Sequence, residues 1–297
     1  MKKAALFLGA ICMSLSMIVP EGSSAVQARV VTEAAVGKKN ETSATSGSAI
    51  KTKPQRPSKP AKSNKPVKKN NNKPVKKNKK KKHKQHKKQP KKTVYLTFDD
   101  GPGSRVTPKL LKVLKDNKVK ATFFIVGYEG KANKKLLKRI VKDGHTIAIH
   151  TYTHDYRKIY SSKKAFLSDF HKTEKLIVDT TGVKPHYFRF PGGGNNHYMS
   201  KKLRKSILKE LHKEGYTEMD WNCGTSDAAA TYYSAAQLIR YGKTTHWGPD
   251  PIVLLQHDAN TKYHTPEVTR ALIKYYRSKG YHFSGLSDYP GPEMCFK

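Results

Sequence analysis

From Thr93 onward, short runs rich in β-branched and aromatic residues alternate with stretches of helical periodicity. This alternation constrains the fold more than any other feature of the chain. Strand-like runs fall at 94–98, 121–126, 146–150, 187–190, 216–221, 252–256 and 281–284. Helical patterns fill the intervals at 108–117, 134–143, 163–181, 200–214, 234–241 and 266–279. In the third of these, Phe166, Phe170, Leu176 and Ile177 share one helical face. Gly144, Gly182, Gly215 and Gly280 stand where helices stop. Seven strands separated by helices predict an α/β fold on a parallel sheet, open or closed, over residues 93–297. In such a fold the C-terminal strand ends share one face, and active sites lie there.

The reactive side chains cluster at those ends. Asp99 and Asp100 follow the first strand, His150 ends the third, Arg189 belongs to the fourth, and His257 follows the sixth. Neighbouring residues of a strand point to opposite faces, so both aspartates enter one pocket only if the chain leaves the strand there. The following Gly101-Pro102 is a turn signal of the required kind. One carboxylate then suits a metal and the other a water. His150-Thr151-Tyr152-Thr153-His154 spaces two imidazoles four apart, and a helical turn would put both on one side. Two histidines and a carboxylate leave coordination positions open, as a catalytic metal requires. Arg189, near two aspartates, would hold Asp99 in place and ionised. His257, opposite such a set, is placed to donate a proton.

Taken together, these motifs resemble the polysaccharide deacetylases of carbohydrate esterase family four, the nodulation-B homology domain. The resemblance spans residues 93–297 and rests on five motifs in order. They are Thr97 to Pro102 (Thr-Phe-Asp-Asp-Gly-Pro), His150 to His154, Arg189 to Pro191, the Trp221 region with Asp227, and Leu255 to His257. Lys120-Ala121-Thr122-Phe123-Phe124 fits the second strand of that family as well. The resemblance implies a distorted (β/α)7 barrel that hydrolyses the acetamide of an N-acetylated sugar with one divalent metal. Zinc is the expected ion, with cobalt and manganese also compatible with such ligands. By the same resemblance Asp100, His150 and His154 bind the metal, Asp99 is the general base, Arg189 orients Asp99, and His257 is the general acid. Asp227 is expected to tune His257, with Asp220 as the alternative. Two departures stand out. Gly192-Gly193-Gly194 follows Pro191, where many members carry an aromatic residue that walls the groove, and Ala228 replaces the usual Trp after Asp227.

The N-terminal third has a different character. Lys2 and Lys3 precede an uncharged, mostly apolar stretch at 4–19, and small residues then offer cleavage after Ala25 or Ala28. That is the pattern of a signal sequence over residues 1–28. An uncleaved anchor is the alternative, although the apolar run is shorter than the roughly 20 residues a spanning helix needs. Residues 29–92 read as a disordered linker rich in Lys, Pro and Asn. The stretch 51–92 holds 20 Lys and Arg and no acidic residue, out of a formal net charge of +37. It repeats the heptapeptide Asn-Lys-Pro-Val-Lys-Lys-Asn at 64–70 and 72–78. So little apolar surface and so much self-repulsion predict an extended, unstructured segment. No aromatic residue interleaves the lysines for base stacking, which disfavours nucleic acid as a partner. Anionic wall polymers or the membrane surface are the expected partners of residues 51–92 in a secreted chain. The expected substrate is therefore N-acetylglucosamine in peptidoglycan. Chitin-like oligosaccharide or poly-N-acetylglucosamine is the alternative, and an inactive wall-binding protein the alternative of another class. Cys223 and Cys295 either pair or remain free thiols.

Overall fold

The first strand explains the architecture. In the computed structural model, which describes residues 92–229, 233–248 and 250–295, β1 (Thr93–Asp99) is buried at every position. A strand covered on both faces belongs at the centre of a parallel sheet flanked by helices. One side of β1 pairs along its length with β7 (Ile252–His257). The other side pairs first with β8 (His282–Ser284) and then, at Thr97–Asp99, with β2 (Thr122–Val126). The sheet continues through β3 (Thr146–Thr151), β4 (Tyr187–Phe188) and β5 (Thr217–Glu218), and β6 (Cys223–Gly224) lies beyond β7. Every ladder is parallel. The result is the expected (β/α)7-type barrel in distorted form: a curled sheet in the order β5-β4-β3-β2-β1-β7-β6.

Eight helices accompany the sheet among the described residues: α1 (Thr107–Asp116), α2 (Gly127–Ala132), α3 (Lys134–Lys142), α4 (Tyr156–Ile159), α5 (Lys163–Thr181), α6 (Lys201–Lys213), α7 (Ala235–Thr244) and α8 (Thr265–Ser278). Their starts and stops are encoded locally. Ser162, Ser200 and Ser234 each accept a backbone N–H of the first turn, and Ser234 with Gln237 completes a capping box. Gly182 ends α5 in the left-handed conformation at φ 72°, which a side chain would oppose. The expected helices are present; α2 and α4 are additional. Both are short, α2 follows β2 directly and carries two glycines, and α4 spans only four residues, so neither leaves an apolar period to read.

The strand expected at 216–221 is interrupted. Only Thr217–Glu218 pairs with β4, after which Met219 bridges Met294. The Asn222 amide N–H donates to Val253 O, and its side-chain oxygen accepts from Val253 N at 2.7 Å. A side chain thus takes over part of the ladder, and β6 begins one residue later.

Strand parity sorts the core into two layers. Val94, Leu96 and Phe98 of β1 join Phe123, Ile147, Ile149, Phe188 and Leu254 in the cluster packed under the helices. Tyr95, Phe124, Ala148 and Val253, the alternate residues, form a smaller cluster with Met219 and Leu286 on the other face of the sheet. Since side chains alternate with a period of two, Asp99, His150, Arg189 and His257 fall on this second face. Cys223 and Cys295 are both free thiols. No helix among the described residues is long and apolar enough to cross a membrane. The expected signal sequence (1–28) and basic linker (29–92, apart from Lys92) lie outside the described residues.

Candidate active site

The chain leaves β1 at Asp100, whose φ of 70° turns its carboxylate towards the same pocket as Asp99. A side chain at the next position, Gly101, would overlap the Asp258 carboxylate. Asp258 donates its N–H to Asp99 O at 3.0 Å and accepts the Thr107 hydroxyl at 2.5 Å, while Gly103 N donates to Thr107 Oγ1 at 2.8 Å. This mesh fixes the turn from 99 to 103.

His150 ends β3 buried, and its Nδ1 lies 2.8 Å from Arg189 O. A carbonyl only accepts, so Nδ1 carries the proton and Nε2 presents its lone pair to the pocket. Burial drives the imidazole pKa down to about 3, against the pull of Asp100, which keeps the ring neutral. His154 arrives by a different route from the expected helical turn. The chain runs off β3 through a bend, and His154 adopts φ 55°, bringing the two rings to a centroid separation of 5.2 Å. Extended structure holds His150 and the turn delivers His154.

Asp100 Oδ1 lies 3.5 Å from His150 Nε2 and 3.2 Å from His154 Nε2, is buried, and makes no hydrogen bond. A buried carboxylate oxygen without a hydrogen bond between two imidazole nitrogens is costly for a protein alone and natural for a cation site. The three side chains fit one divalent metal. In the other cluster of suitable groups among the described residues, Glu218, Glu293 and Cys295, Glu218 Oε1 also lacks a hydrogen bond, but Glu218 Oε2 and Glu293 Oε1 are engaged by protein. Arg204 Nη2 donates to Glu218 Oε2 at 2.5 Å, and Glu218 N donates to Glu293 Oε1 at 2.7 Å.

Arg189 is fully buried, and all three of its nitrogens donate hydrogen bonds. Nη1 donates to Asp99 Oδ1 at 2.7 Å and Thr97 Oγ1 at 3.0 Å, Nε to Met219 O at 2.6 Å, and Nη2 to Asp220 O at 2.9 Å. Phe124 lies against the guanidinium, 4.1 Å from its carbon. Removing one partner would strand a buried charge at a cost of about 3–5 kcal/mol. Burial nevertheless raises the Asp99 carboxyl above its ordinary range, with Arg189 opposing the rise. The guanidinium therefore orients Asp99 and only partly favours its charge.

His257 lies beside Asp99 across the β1–β7 ladder. Its Nδ1 is 2.8 Å from Asp227 Oδ1, and its backbone N–H donates to Asp227 Oδ2 at 2.8 Å. Asp227, rather than Asp220, is thus the carboxylate that meets His257. Asp220 instead accepts Gly194 N, at 3.2 Å on Oδ1 and 3.3 Å on Oδ2, and so anchors the glycine loop. Burial pulls the His257 pKa down, but Asp227 outweighs it and holds the ring charged, with a pKa of about 9. Against its own burial, Asp227 is held below the ordinary carboxylate range by His257.

Two supporting residues escaped the sequence reading. Asp169 of α5 accepts Tyr152 N, Thr153 N at 3.2 Å and Thr153 Oγ1 at 2.7 Å, and so braces the turn that carries His154. Its position flanking the Phe166–Phe170 stripe is the one signal that marks it. Asp258 follows His257 in sequence, but nothing in the pattern shows that it faces Gly101. A cavity of about 540 Å³ lined by Gly194, Met199, Arg204, Leu208 and His212 contains none of the reactive groups, which sit in the groove above the strand ends.

The sequence profile described as polysaccharide deacetylase matches residues 86–211. YheN of Bacillus subtilis, provisionally assigned as a polysaccharide deacetylase, is 35% identical over 200 residues, which cover 66% of this chain and 68% of that protein. A peptidoglycan-N-acetylglucosamine deacetylase of Bacillus cereus is 29% identical over 67% of this chain and 70% of its own length. Among solved structures, the catalytic domain of peptidoglycan N-acetylglucosamine deacetylase from Eubacterium rectale superposes with a TM-score of 0.64 at 31% identity. That match covers 69% of this chain and 93% of the other.

Proposed function

The chain belongs to the polysaccharide deacetylase family, and from that premise we propose that it hydrolyses the acetamide of N-acetylglucosamine residues in peptidoglycan, releasing acetate. The observation that carries the reading is the pairing of two arrangements at the strand ends: a buried Asp100 Oδ1 without a hydrogen bond between the His150 and His154 nitrogens, and His257 Nδ1 held 2.8 Å from the Asp227 carboxylate. Amide hydrolysis needs both a site for an electrophilic metal and a proton donor for a poor leaving group.

Asp100, His150 and His154 would hold the divalent ion, which we take to be zinc. When bound, such an ion supplies Lewis-acid polarisation of the acetamide carbonyl and lowers the pKa of water. Asp99 accepts a proton from the attacking water; its raised basicity and its fixed bond to Arg189 suit that task. His257 enters the reaction protonated and gives its proton from Nε2 to the departing sugar nitrogen. Asp227 fixes the Nδ1–H tautomer and favours the imidazolium, leaving Nε2–H aimed away from it. Water supplies the oxygen of acetate, and the amine leaves with the donated proton.

We further propose that residues 1–28 direct export and that residues 51–92 hold the enzyme on anionic wall polymers or the membrane surface. These readings rest on the charge and hydropathy of those segments.

Acetate release by the purified full chain, with and without chelator, on peptidoglycan and on a chito-oligosaccharide tests the proposal. Chelator-sensitive release from peptidoglycan is expected. Release from the oligosaccharide alone would keep the chemistry and overturn the substrate. No release from either with metal restored would leave a wall-binding protein without activity.

A further inference from the structure

The loop after β4 is built more rigidly than its three consecutive glycines suggest. Pro191 O accepts the Tyr160 hydroxyl at 2.8 Å and Asn196 Nδ2 at 3.2 Å. Asn196 Nδ2 also reaches Gly193 O at 2.8 Å, Gly193 N donates to Phe190 O at 2.8 Å, and Asp220 accepts Gly194 N. The other end of the Asn196 amide accepts Tyr198 N at 3.0 Å. One side chain therefore ties the start of the loop to Tyr198.

What this frame presents is an aromatic surface beside the reacting groups. The Tyr156 ring meets His154 edge to face at 5.3 Å, and Tyr198 packs on Tyr156 with centroids 4.9 Å apart. His197 backs Tyr198 at 4.1 Å. Yet Tyr198 remains 49% exposed, so its contacts bury one part of the ring and leave the rest in water. The glycine at the start of the loop leaves the Tyr156 ring room. Gly192 has φ 77°, and a Cβ there would press on the Tyr156 ring at 3.0 Å. The Asn196 amide fixes the main chain at Tyr198, and the contact with Tyr156 fixes where the half-exposed ring lies beside the reacting groups. A ligand with an apolar face can use such a ring, because a rigid aromatic ring offers contact area at little entropic cost.

We propose that Tyr198, set on Tyr156, is a stacking platform for a pyranose ring of the glycan, next to the sugar whose acetamide reacts. The inference rests on the glycan substrate proposed above and names the chain's own contact for it. A pyranose carries axial C–H groups on one face, and these pack on an aromatic ring while its hydroxyls remain at the edge in water. The platform lies one tyrosine away from His154, so it acts on binding a longer chain and takes no part in proton transfer.

The test compares the full chain with Tyr198→Ala and Tyr198→Phe, using a tetramer of N-acetylglucosamine and the monomer as probes. Tyr198→Ala is expected to raise KM for the tetramer roughly three- to tenfold with kcat unchanged, the size of an aromatic packing interaction. Tyr198→Phe keeps the ring face and should retain the wild-type KM. Neither variant should alter hydrolysis of the monomer. An unchanged tetramer KM in Tyr198→Ala would overturn the platform, as would an equal rise in Tyr198→Phe, which would assign the effect to the hydroxyl. If wild type releases no acetate from any glycan, the reaction proposed above fails, and calorimetry on the tetramer still decides the platform. Weaker binding by Tyr198→Ala than by wild type upholds it; equal affinity overturns it.

Discussion

His150 and His257 sit at the ends of β3 and β7, are both buried, and face one groove, yet they hold opposite charge states. The difference comes from what each Nδ1 meets. A backbone carbonyl fixes the tautomer of His150 without adding charge, so desolvation prevails and the ring stays neutral, with a pKa of about 3. A carboxylate at the same 2.8 Å outweighs desolvation at His257 and holds its pKa at about 9. Under the proposed reaction, one residue type would thus serve as a metal ligand at one strand end and as an acid at the other, by a change of partner rather than of burial.

The largest expected effect breaks the β3 half. Replacing His150 with Ala removes a ligand and leaves Asp100 Oδ1 with one imidazole, so metal content of the purified protein should fall towards zero. Activity should drop by about a thousandfold or more, the several kcal/mol that a Lewis-acid ion contributes. Retained metal and activity would show that His150 is only a buried structural histidine. The β7 half should fail differently. His257→Ala is expected to keep its metal and its KM while kcat falls about 10²–10⁴-fold, the usual contribution of a positioned acid. If metal were lost as well, the two halves would not be separable.

These halves were unequally legible in the sequence. Strand parity places Asp99, His150, Arg189 and His257 on one face, and each sits in a run whose apolar residues already declare a strand. Asp100 could also be read, because Gly101-Pro102 marks the departure from β1. The conformation between His150 and His154 could not. Spacing of four suggests a helical turn, but the actual turn depends on Asp169, fifteen residues beyond His154 on a helix whose own period explains it as an edge position. The choice between Asp220 and Asp227 was equally hidden. Both follow β5, and only the path of the chain past β6 sends Asp227 to His257 and Asp220 to Gly194. Local pattern encodes where strands end; which loop residue reaches them is settled by tertiary contacts.

Asp227→Asn should make His257 more like His150. Without the carboxylate, the imidazole pKa should fall from about 9 towards the ordinary value. The alkaline limb of kcat/KM should follow it, and activity at pH 8 should drop roughly thirtyfold, from the smaller protonated fraction. The same pair predicts a stability signature. A histidine whose pKa is raised on folding stabilises the protein fully below its unfolded pKa of about 6.5 and loses that contribution as pH rises through about 9. Melting temperature measured across pH 6 to 10 should therefore decline more in wild type than in Asp227→Asn. Parallel curves would mean that the pair is not charged in the folded state.

The mildest change sharpens the comparison from the other side. Asp169→Asn retains an oxygen for Tyr152 N and Thr153 N but replaces the acceptor of the Thr153 hydroxyl with an amide donor. The turn should loosen without unfolding, since α5 keeps Phe166, Phe170 and Ile177 in the core. His154 would then be less well placed, and metal affinity should weaken by about tenfold, the low end for a group that orients a ligand. Saturating metal should restore kcat, because nothing between Asp169 and His257 has moved. The alkaline limb near 9 should stay where it was. Titration with metal, followed by a pH profile at saturation, separates the alternatives. A kcat deficit that excess metal does not repair, or a shifted alkaline limb, would mean that the turn supports the acid half too, and that the two ends of the groove are one coupled unit.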